Sequence, residues 1–432
     1  MVVEFSVGNF RSIKEMQTIS FAATGLKSPS ESAQVDADNI EEEGGIRLLK
    51  TIGIYGANGS GKSNVIRALV YFLQAISNEP SSQSNLGPLC DPFFYQCDAK
   101  DSASFYQIVL IIRNRKYRFG FTVKKNLNYP DDKSDSKEVI ETEWLYGTRD
   151  KNMIKYFTRE GTETDVEKTT ENEKVPALPY KHTLYLTHEA AFDKDGPSAT
   201  IRNYVKGWVL NNMSTGFAAF RHNTLRVIEL ENKKKDLLQL LNDFNLKYDD
   251  ISIERDEKAG QALVNHDKII LSRSFINQNN VVENIKLNLA TTESSGTQKL
   301  FDFIGIFLRN LDVSYSAFFI IDEIDSNFHP ALLIKIIKLF NDPIVNKSHM
   351  QLIFTSHDTN LMSPSIMRRD QFYFTEKRED NSTRLYSLGD LKGIRNDADF
   401  AKQYLMGIYG AIPYFEQNVP MAANLSDGTL ES

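Results

Sequence analysis

Cysteine is scarce in this chain: Cys90 and Cys97 are the only two among 432 residues. Two thiols cannot build a disulfide framework, which points to a reducing, cytoplasmic setting. Their spacing fits no usual zinc pattern, and no histidine lies near enough in sequence to complete one. Long apolar runs are missing as well; none reaches the roughly 18 residues of a membrane span. The first residues carry Glu4 and Arg11 among alternating apolar positions, so they read as a strand and not a signal peptide. No charge of one sign dominates. With 50 basic against 57 acidic side chains and a formal charge of -7, a chain coated by nucleic acid is disfavoured, while a local basic groove stays open. Internal repeats, low-complexity linkers and sustained heptads are absent too. What remains has the composition of an ordinary globular protein, and its length sets a first expectation of two or three domains.

Residues 1–25 alternate around Phe5, Val7, Phe10 and Ile13, then Ile19 and Phe21, which predicts a hairpin. The Ser-, Asp- and Glu-rich stretch 28–45 reads as a surface loop. A short apolar strand, Leu48–Tyr55, ends at glycine, and helical spacing follows from Asn64 to Ile76. Two strands are expected over 105–123, around the polar turn Arg113–Lys116. Residues 128–138 and 159–176 are polar excursions; helices are expected at about 199–218 and from Leu225 to Leu241. Short β-like runs follow at Ile251–Ile253, Lys268–Leu271 and Val281–Leu289. A helix at about 297–310, the strand Ala317–Ile321, a helix from Pro330 and the strand Gln351–Phe354 restore strand–helix alternation, the signature of an α/β core.

Gly56-Ala57-Asn58-Gly59-Ser60-Gly61-Lys62-Ser63 fills every fixed position of the phosphate-loop pattern, with strand before it and helix after it. The glycines let backbone N–H groups face phosphates. Lys62 is placed to reach the β and γ phosphates, and Ser63 to set its hydroxyl on Mg²⁺. The helix adds its positive end to the anion site. The apolar strand Phe318–Ile321 closes on Asp322 and Glu323. Asp322 is then a candidate holder of Mg²⁺ and Glu323 a candidate general base for the attacking water. A surface acidic pair is the competing reading. Thr355-Ser356-His357-Asp358 ends the next strand, and His357 is a candidate γ-phosphate sensor; a lone histidine in such a place is more often structural. Glu293-Ser294-Ser295-Gly296-Thr297-Gln298 opens a helix and makes a second phosphate binder. One nucleotide does not need two such sites in one chain. A head-to-tail dimer, with Ser295 and Gly296 capping ATP held by the partner, resolves this; a bare helix cap is the plainer alternative.

Together these segments resemble the ATP-binding-cassette ATPases of the chromosome-maintenance and break-repair class. In that class the head is interrupted between phosphate loop and signature segment; here 238 positions separate Gly56 from Ser294, against 26 from Gly296 to Asp322 and 35 from Asp322 to His357. Asn9-Phe10-Arg11-Ser12, Asp322 through Asp325 with His329-Pro330, Arg369 through Phe372 and Tyr404 through Pro413 further resemble a prokaryotic abortive-infection and restriction-linked subfamily, known from PARIS and AbiL-type anti-phage systems. The resemblance implies an α/β ABC-type (P-loop) ATPase head with a mixed β/helical insertion. It also implies ATP and Mg²⁺ as ligands, an ATP-sandwiched homodimer or higher oligomer, and a sensor or scaffold role. Its partner would be a separately encoded nuclease of the topoisomerase–primase (TOPRIM) fold, and its trigger a phage protein. Carried over by motif, Gly56, Asn58, Gly59, Gly61, Lys62 and Ser63 bind phosphate, Ser63 and Asp322 the metal, Glu323 the water, and Ser295 and Gly296 the partner's nucleotide. His357 is the switch residue, and Arg11 matches an early phosphate-contacting arginine, with a strand-surface arginine as the alternative. The signature departs from Leu-Ser, reading Ser294-Ser295, and Thr297 replaces its second glycine. The glutamine loop of that class has two candidates by chain order, Gln96 and Gln107, neither within a motif.

The expected organisation is a head in two pieces, 1–125 and 291–415, an inserted lobe at 126–290 with a short helical arm, and a tail at 416–432. A DNA-end repair ATPase with a partner nuclease is the runner-up. It calls for a long coiled coil or a basic tract, and Arg368-Arg369, Lys377-Arg378 and Lys392–Arg395 read as solvated surface. The short end after Pro413 leaves no room for a fused nuclease, and no membrane role is expected.

Overall fold

The computed structural model describes residues 1–96, 102–127, 129, 137–149, 152–166, 175–212, 221–255, 268–311, 317–326 and 328–413. Cys97, the polar stretches 130–136 and 167–174 and the expected tail at 416–432 lie outside the described residues.

A parallel sheet forms the centre. Its strands run in the order Val209–Asn212, Phe318–Asp322, Gln351–Thr355, Thr51–Gly56, Phe372–Lys377 and Thr383–Ser387, all parallel except the last. Phe318–Asp322, Gln351–Thr355 and Thr51–Gly56 are buried at every position, as expected of strands covered on both faces. Phe318, Ile320 and Ile353 pack toward one layer, and Phe319, Ile321, Leu352 and Phe354 toward the other. The first layer is the helix Lys62–Ser77, backed by a seven-stranded antiparallel sheet. Phe72 of that helix stacks on Phe121 at 5.3 Å and on Tyr106 at 6.1 Å. The second layer holds the helices Ser295–Asn310 and Pro330–Asn341.

The sheets redraw the expected organisation. The strands Glu138–Arg149, Asn152–Glu160 and Glu163–Val166 continue the antiparallel sheet from Arg115–Lys125, so position 125 is no break in packing. The helix expected at 199–218 runs from Pro197 to Lys206 and ends at Gly207; the next strand, Val209–Asn212, joins the central sheet beside Phe319–Asp322. Residues 221–288 carry a separate small sheet, Asp250–Glu254, Lys268–Ile276 and Val282–Asn288, over the helices Arg221–Glu229 and Glu231–Asp243, and pack through Leu225, Ile228 and Leu241 into the same core as the helix Ser295–Asn310. The single helix expected from Leu225 to Leu241 is divided at Leu230, whose backbone is extended. The loop expected at 28–45 contains a helical turn, Gln34–Asp38, and a strand, Ile40–Glu43, paired with Ile46–Leu49. The apolar run 48–55 is likewise two strands, broken at Lys50, which is fully buried and ion-paired to Glu41 at 3.6 Å.

Candidate nucleotide site

The glycine loop leaves the central strand at Gly56 and enters its helix at Lys62. Gly56, Gly59 and Gly61 have φ of +152°, +76° and +110°. A side chain at Gly56 would place its Cβ 2.4 Å from the Thr375 carbonyl oxygen, and one at Gly61 would place it 2.1 Å from Thr383 Oγ1. Both positions demand glycine for space and for conformation. A hydroxyl collar fixes the loop from outside. Ser60 Oγ and Thr375 Oγ1 lie 2.6 Å apart, Thr383 Oγ1 donates to the Ser60 carbonyl at 2.9 Å, and Ser12 Oγ lies 2.7 Å from Thr383 Oγ1. Asn64 Nδ2 donates to that same serine at 2.8 Å.

Lys62 is buried, and its ammonium donates to the carbonyls of Gly56 at 2.7 Å and Ala57 at 3.1 Å. Burial lowers its pKa, an effect opposed by Asp322, Asp325 and Glu323. Ser63 Oγ donates to Asp322 Oδ1 at 3.4 Å. Thr355, at the end of the adjacent strand, donates its hydroxyl to the same oxygen at 2.6 Å and accepts the Glu323 N–H at 2.7 Å. Glu323 itself sits at φ +54°, which turns the chain sharply after Asp322. The His357 N–H donates to Asp325 Oδ2 at 3.1 Å. Burial and the nearby Lys62 ammonium push the His357 pKa down against the pull of the three acids.

The fold thus gathers Gly56, Asn58, Gly59, Gly61, Lys62, Ser63, Asp322, Glu323 and His357 at one end of the central sheet. The residues fit ATP and Mg²⁺: three glycines at positive φ shape a phosphate cradle, a 16-residue helix starts behind it, and Ser63 with Asp322 offers the hard oxygen ligands Mg²⁺ takes. Ser295 and Gly296 lie elsewhere, at the start of the helix Ser295–Asn310. Ser294 caps that helix through Thr297 N at 3.2 Å, leaving Ser295 exposed on its first turn. Arg11 is held by Asp91 at 2.9 Å and lies over the rings of Phe10 and Tyr71. Its neighbour Ser12 makes the contact with the loop collar. Gln107 accepts from Trp144 Nε1 at 3.2 Å on the antiparallel sheet, and Gln96 is exposed.

Thr355 went unassigned in the sequence although it lies inside the quoted Thr-Ser-His-Asp segment; a hydroxyl at the end of an otherwise apolar buried strand is the signal. Thr375, Thr383 and Ser12 carry no local signal, because Thr375 and Thr383 reach Ser60 across 315 and 323 positions and Ser12 reaches Thr383 across 371. Arg368, read as solvated surface, is 2 % exposed and clamps Asp36 and Asp370 while donating to the Leu26 carbonyl at 2.7 Å.

A glycine loop between a central parallel strand and its helix, with an acid at a neighbouring strand end, defines a P-loop nucleotide-binding domain of the α/β class. Residues 52–363 match the family described as "AAA domain, putative AbiEii toxin, Type IV TA system", and the chain belongs to that family. No curated protein matches the chain. Among solved structures it is similar to the "SMC head domain from Thermotoga maritima", at 11% identity and a TM-score of 0.42 over 89% of this chain and 98% of that one. Among the described residues no helix is long and apolar enough to cross a membrane.

Proposed function

We propose that this chain hydrolyses ATP as the sensor of an anti-phage defence system. Two copies close head-to-tail so that Ser295 and Gly296 of one cap the ATP held by the other. The observation that supports hydrolysis, beyond nucleotide binding, is the single Thr355 hydroxyl that fixes Asp322 and the Glu323 backbone together. Asp322 and Ser63 hold Mg²⁺, which supplies charge neutralisation on the phosphates when bound. Glu323 takes a proton from the attacking water, Lys62 stabilises the transferring phosphate, and His357 donates one hydrogen bond to the same group. The defence role draws on the family's description, which names a toxin of a toxin–antitoxin system. It draws also on the subfamily resemblance, which brings a separately encoded TOPRIM-type nuclease as effector and a phage protein as trigger.

Glu323→Gln tests the reading. The variant binds ATP, stops turnover and accumulates as the closed pair, read by retained nucleotide and by size-exclusion chromatography. A variant that neither retains ATP nor changes assembly overturns the base assignment or the dimer. Co-purification from infected and uninfected cells tests the biology: a TOPRIM-type nuclease supports defence, and a repair exonuclease supports the DNA-end alternative. Against that alternative, the longest helix of the 221–288 lobe among the described residues is the 13-residue Glu231–Asp243, too short for a coiled-coil arm.

A further inference from the structure

Three buried polar atoms without hydrogen-bond partners stand just behind the nucleotide site: Tyr55 Oη, Asp325 Oδ1 and Asp358 Oδ2. Each comes from a different segment, and the backbone joins the three. The Ser356 N–H donates to the Ile54 carbonyl at 3.1 Å, which sets the chain before Asp358 beside Tyr55. The Ile324 N–H donates to the Thr355 carbonyl at 3.0 Å, which sets Asp325 against the same strand end. The Tyr55 hydroxyl accordingly lies in the field of the Asp358 and Asp325 carboxylates. Its ring is fixed, with Phe372 at 6.1 Å and Tyr404 at 6.4 Å, and the side chain is 0 % exposed.

The second oxygen of each acid is already engaged. Asp325 Oδ2 accepts the His357 N–H at 3.1 Å, and Asp358 Oδ1 accepts the Asn360 N–H at 2.9 Å. Buried polar groups are almost always paired, and a hydroxyl in the field of two carboxylates, each with one unpartnered oxygen, offers the two to four polar partners an ordered water needs.

We propose that Tyr55, Asp325 and Asp358 bind one buried water, and that Tyr55 is through it a positioning residue for His357. The hydroxyl donates to the water, whose two protons go to Asp325 Oδ1 and Asp358 Oδ2. Every donor is then used, and each of the two carboxylate oxygens gains a partner. The water locks the carboxylate that holds the His357 backbone, so the imidazole keeps its place relative to Lys62 and Glu323 without Tyr55 touching the nucleotide. The kinetic half of this proposal rests on the ATPase reading; the water itself does not.

Two experiments separate these halves. A crystal structure of the whole chain at about 2 Å shows an ordered water within hydrogen-bond distance of all three oxygens. A direct Tyr55–aspartate bond, or no water, overturns the proposal whether or not the protein hydrolyses ATP. In turnover assays Tyr55→Phe, which keeps the ring, lowers kcat by about tenfold with KM within about twofold, as loss of a positioning contact does. Asp358→Asn keeps the acceptor for Asn360 and lowers kcat similarly, and the double variant is no slower than the worse single one. Losses that multiply, or a raised KM at unchanged kcat, overturn the positioning role. A wild-type protein that binds ATP without turnover overturns the ATPase reading and its kinetic half, and the crystallographic result still decides the water.

Discussion

The hydroxyl of Thr355 donates to Asp322 Oδ1 across 2.6 Å, and this one bond ties the end of one parallel strand to the acid at the end of the next. Since the same hydroxyl accepts the Glu323 N–H, Thr355 aligns Asp322 and Glu323, the proposed metal-binding acid and base, with one atom. Thr355→Val keeps the shape and removes both bonds. It is expected to cost about 1–3 kcal/mol of stability through two unpaired buried groups. It should also raise the Mg²⁺ concentration needed for half-maximal hydrolysis. A magnesium titration of turnover beside a thermal melt checks this, and an unchanged magnesium midpoint counts against the assignment of Asp322.

Gly61 and Gly59 make a matched pair for testing the loop. A Cβ at Gly61 collides with Thr383, whereas one at Gly59 meets nothing within 4 Å. Gly59→Ala meets no protein atom and bears the cost of a left-handed backbone, about 1–2 kcal/mol, so it should weaken nucleotide binding less than Gly61→Ala does. Gly61→Ala should abolish binding of a fluorescent ATP analogue. Equal affinities for the two variants contradict the cradle.

Glu143 and Arg159 form a fully buried ion pair at 3.3 Å beneath the antiparallel sheet. Glu143 also accepts the Tyr185 and Leu186 N–H groups at 2.7 and 2.9 Å, and Arg159 donates to the Thr183 carbonyl at 2.6 Å. Burial raises the Glu143 pKa despite the arginine. Arg159→Met leaves a carboxylate without its counter-ion and should lose about 3–5 kcal/mol in urea unfolding. A loss below about 1 kcal/mol would mean the segment 181–186 is held by packing alone.

His349 Nδ1 lies 3.0 Å from the Glu41 carboxylate, and that hydrogen bond raises the histidine pKa above its ordinary 6.5. The same bond lowers Glu41. A base with a raised folded pKa contributes stability that is full below its unfolded value and lost as pH rises through its folded one. The stability advantage of the wild type over His349→Asn should thus be largest near pH 6 and shrink toward pH 9. Asparagine is the apt replacement because His349 has φ +52°. Urea unfolding at the two pH values decides it, and an advantage that grows with pH reverses the assignment.

The parts of the site that could be read in advance are those written in consecutive residues. Gly56–Ser63, Asp322-Glu323 and His357 each sit at a strand end whose apolar run is unmistakable, so both their type and their place were legible. The strand Val209–Asn212 was not, because only its pairing with Phe319–Asp322 makes it a strand rather than the end of a helix. The sheet beyond Lys125 was hidden for a related reason: Glu138–Arg149 mixes polar and apolar positions to suit one wet face, so no strand is legible there until its partners are known. Arg11, picked by its motif position, pairs with Asp91 in the fold, beside Ser12 of the loop collar.

The central placement of Thr51–Gly56 has a consequence for biosynthesis. Both of its neighbours, Gln351–Thr355 and Phe372–Lys377, emerge about 300 residues later, as the pairing of Thr51 with Leu352 shows. At about 5–20 residues per second, the ribosome leaves this strand without partners for on the order of 15 to 60 s. The glycine loop is among the first functional segments made and among the last to become rigid. Nascent chains shorter than about 380 residues should not hold nucleotide, and a strand so apolar and so long unpaired makes this protein a demanding client for chaperones.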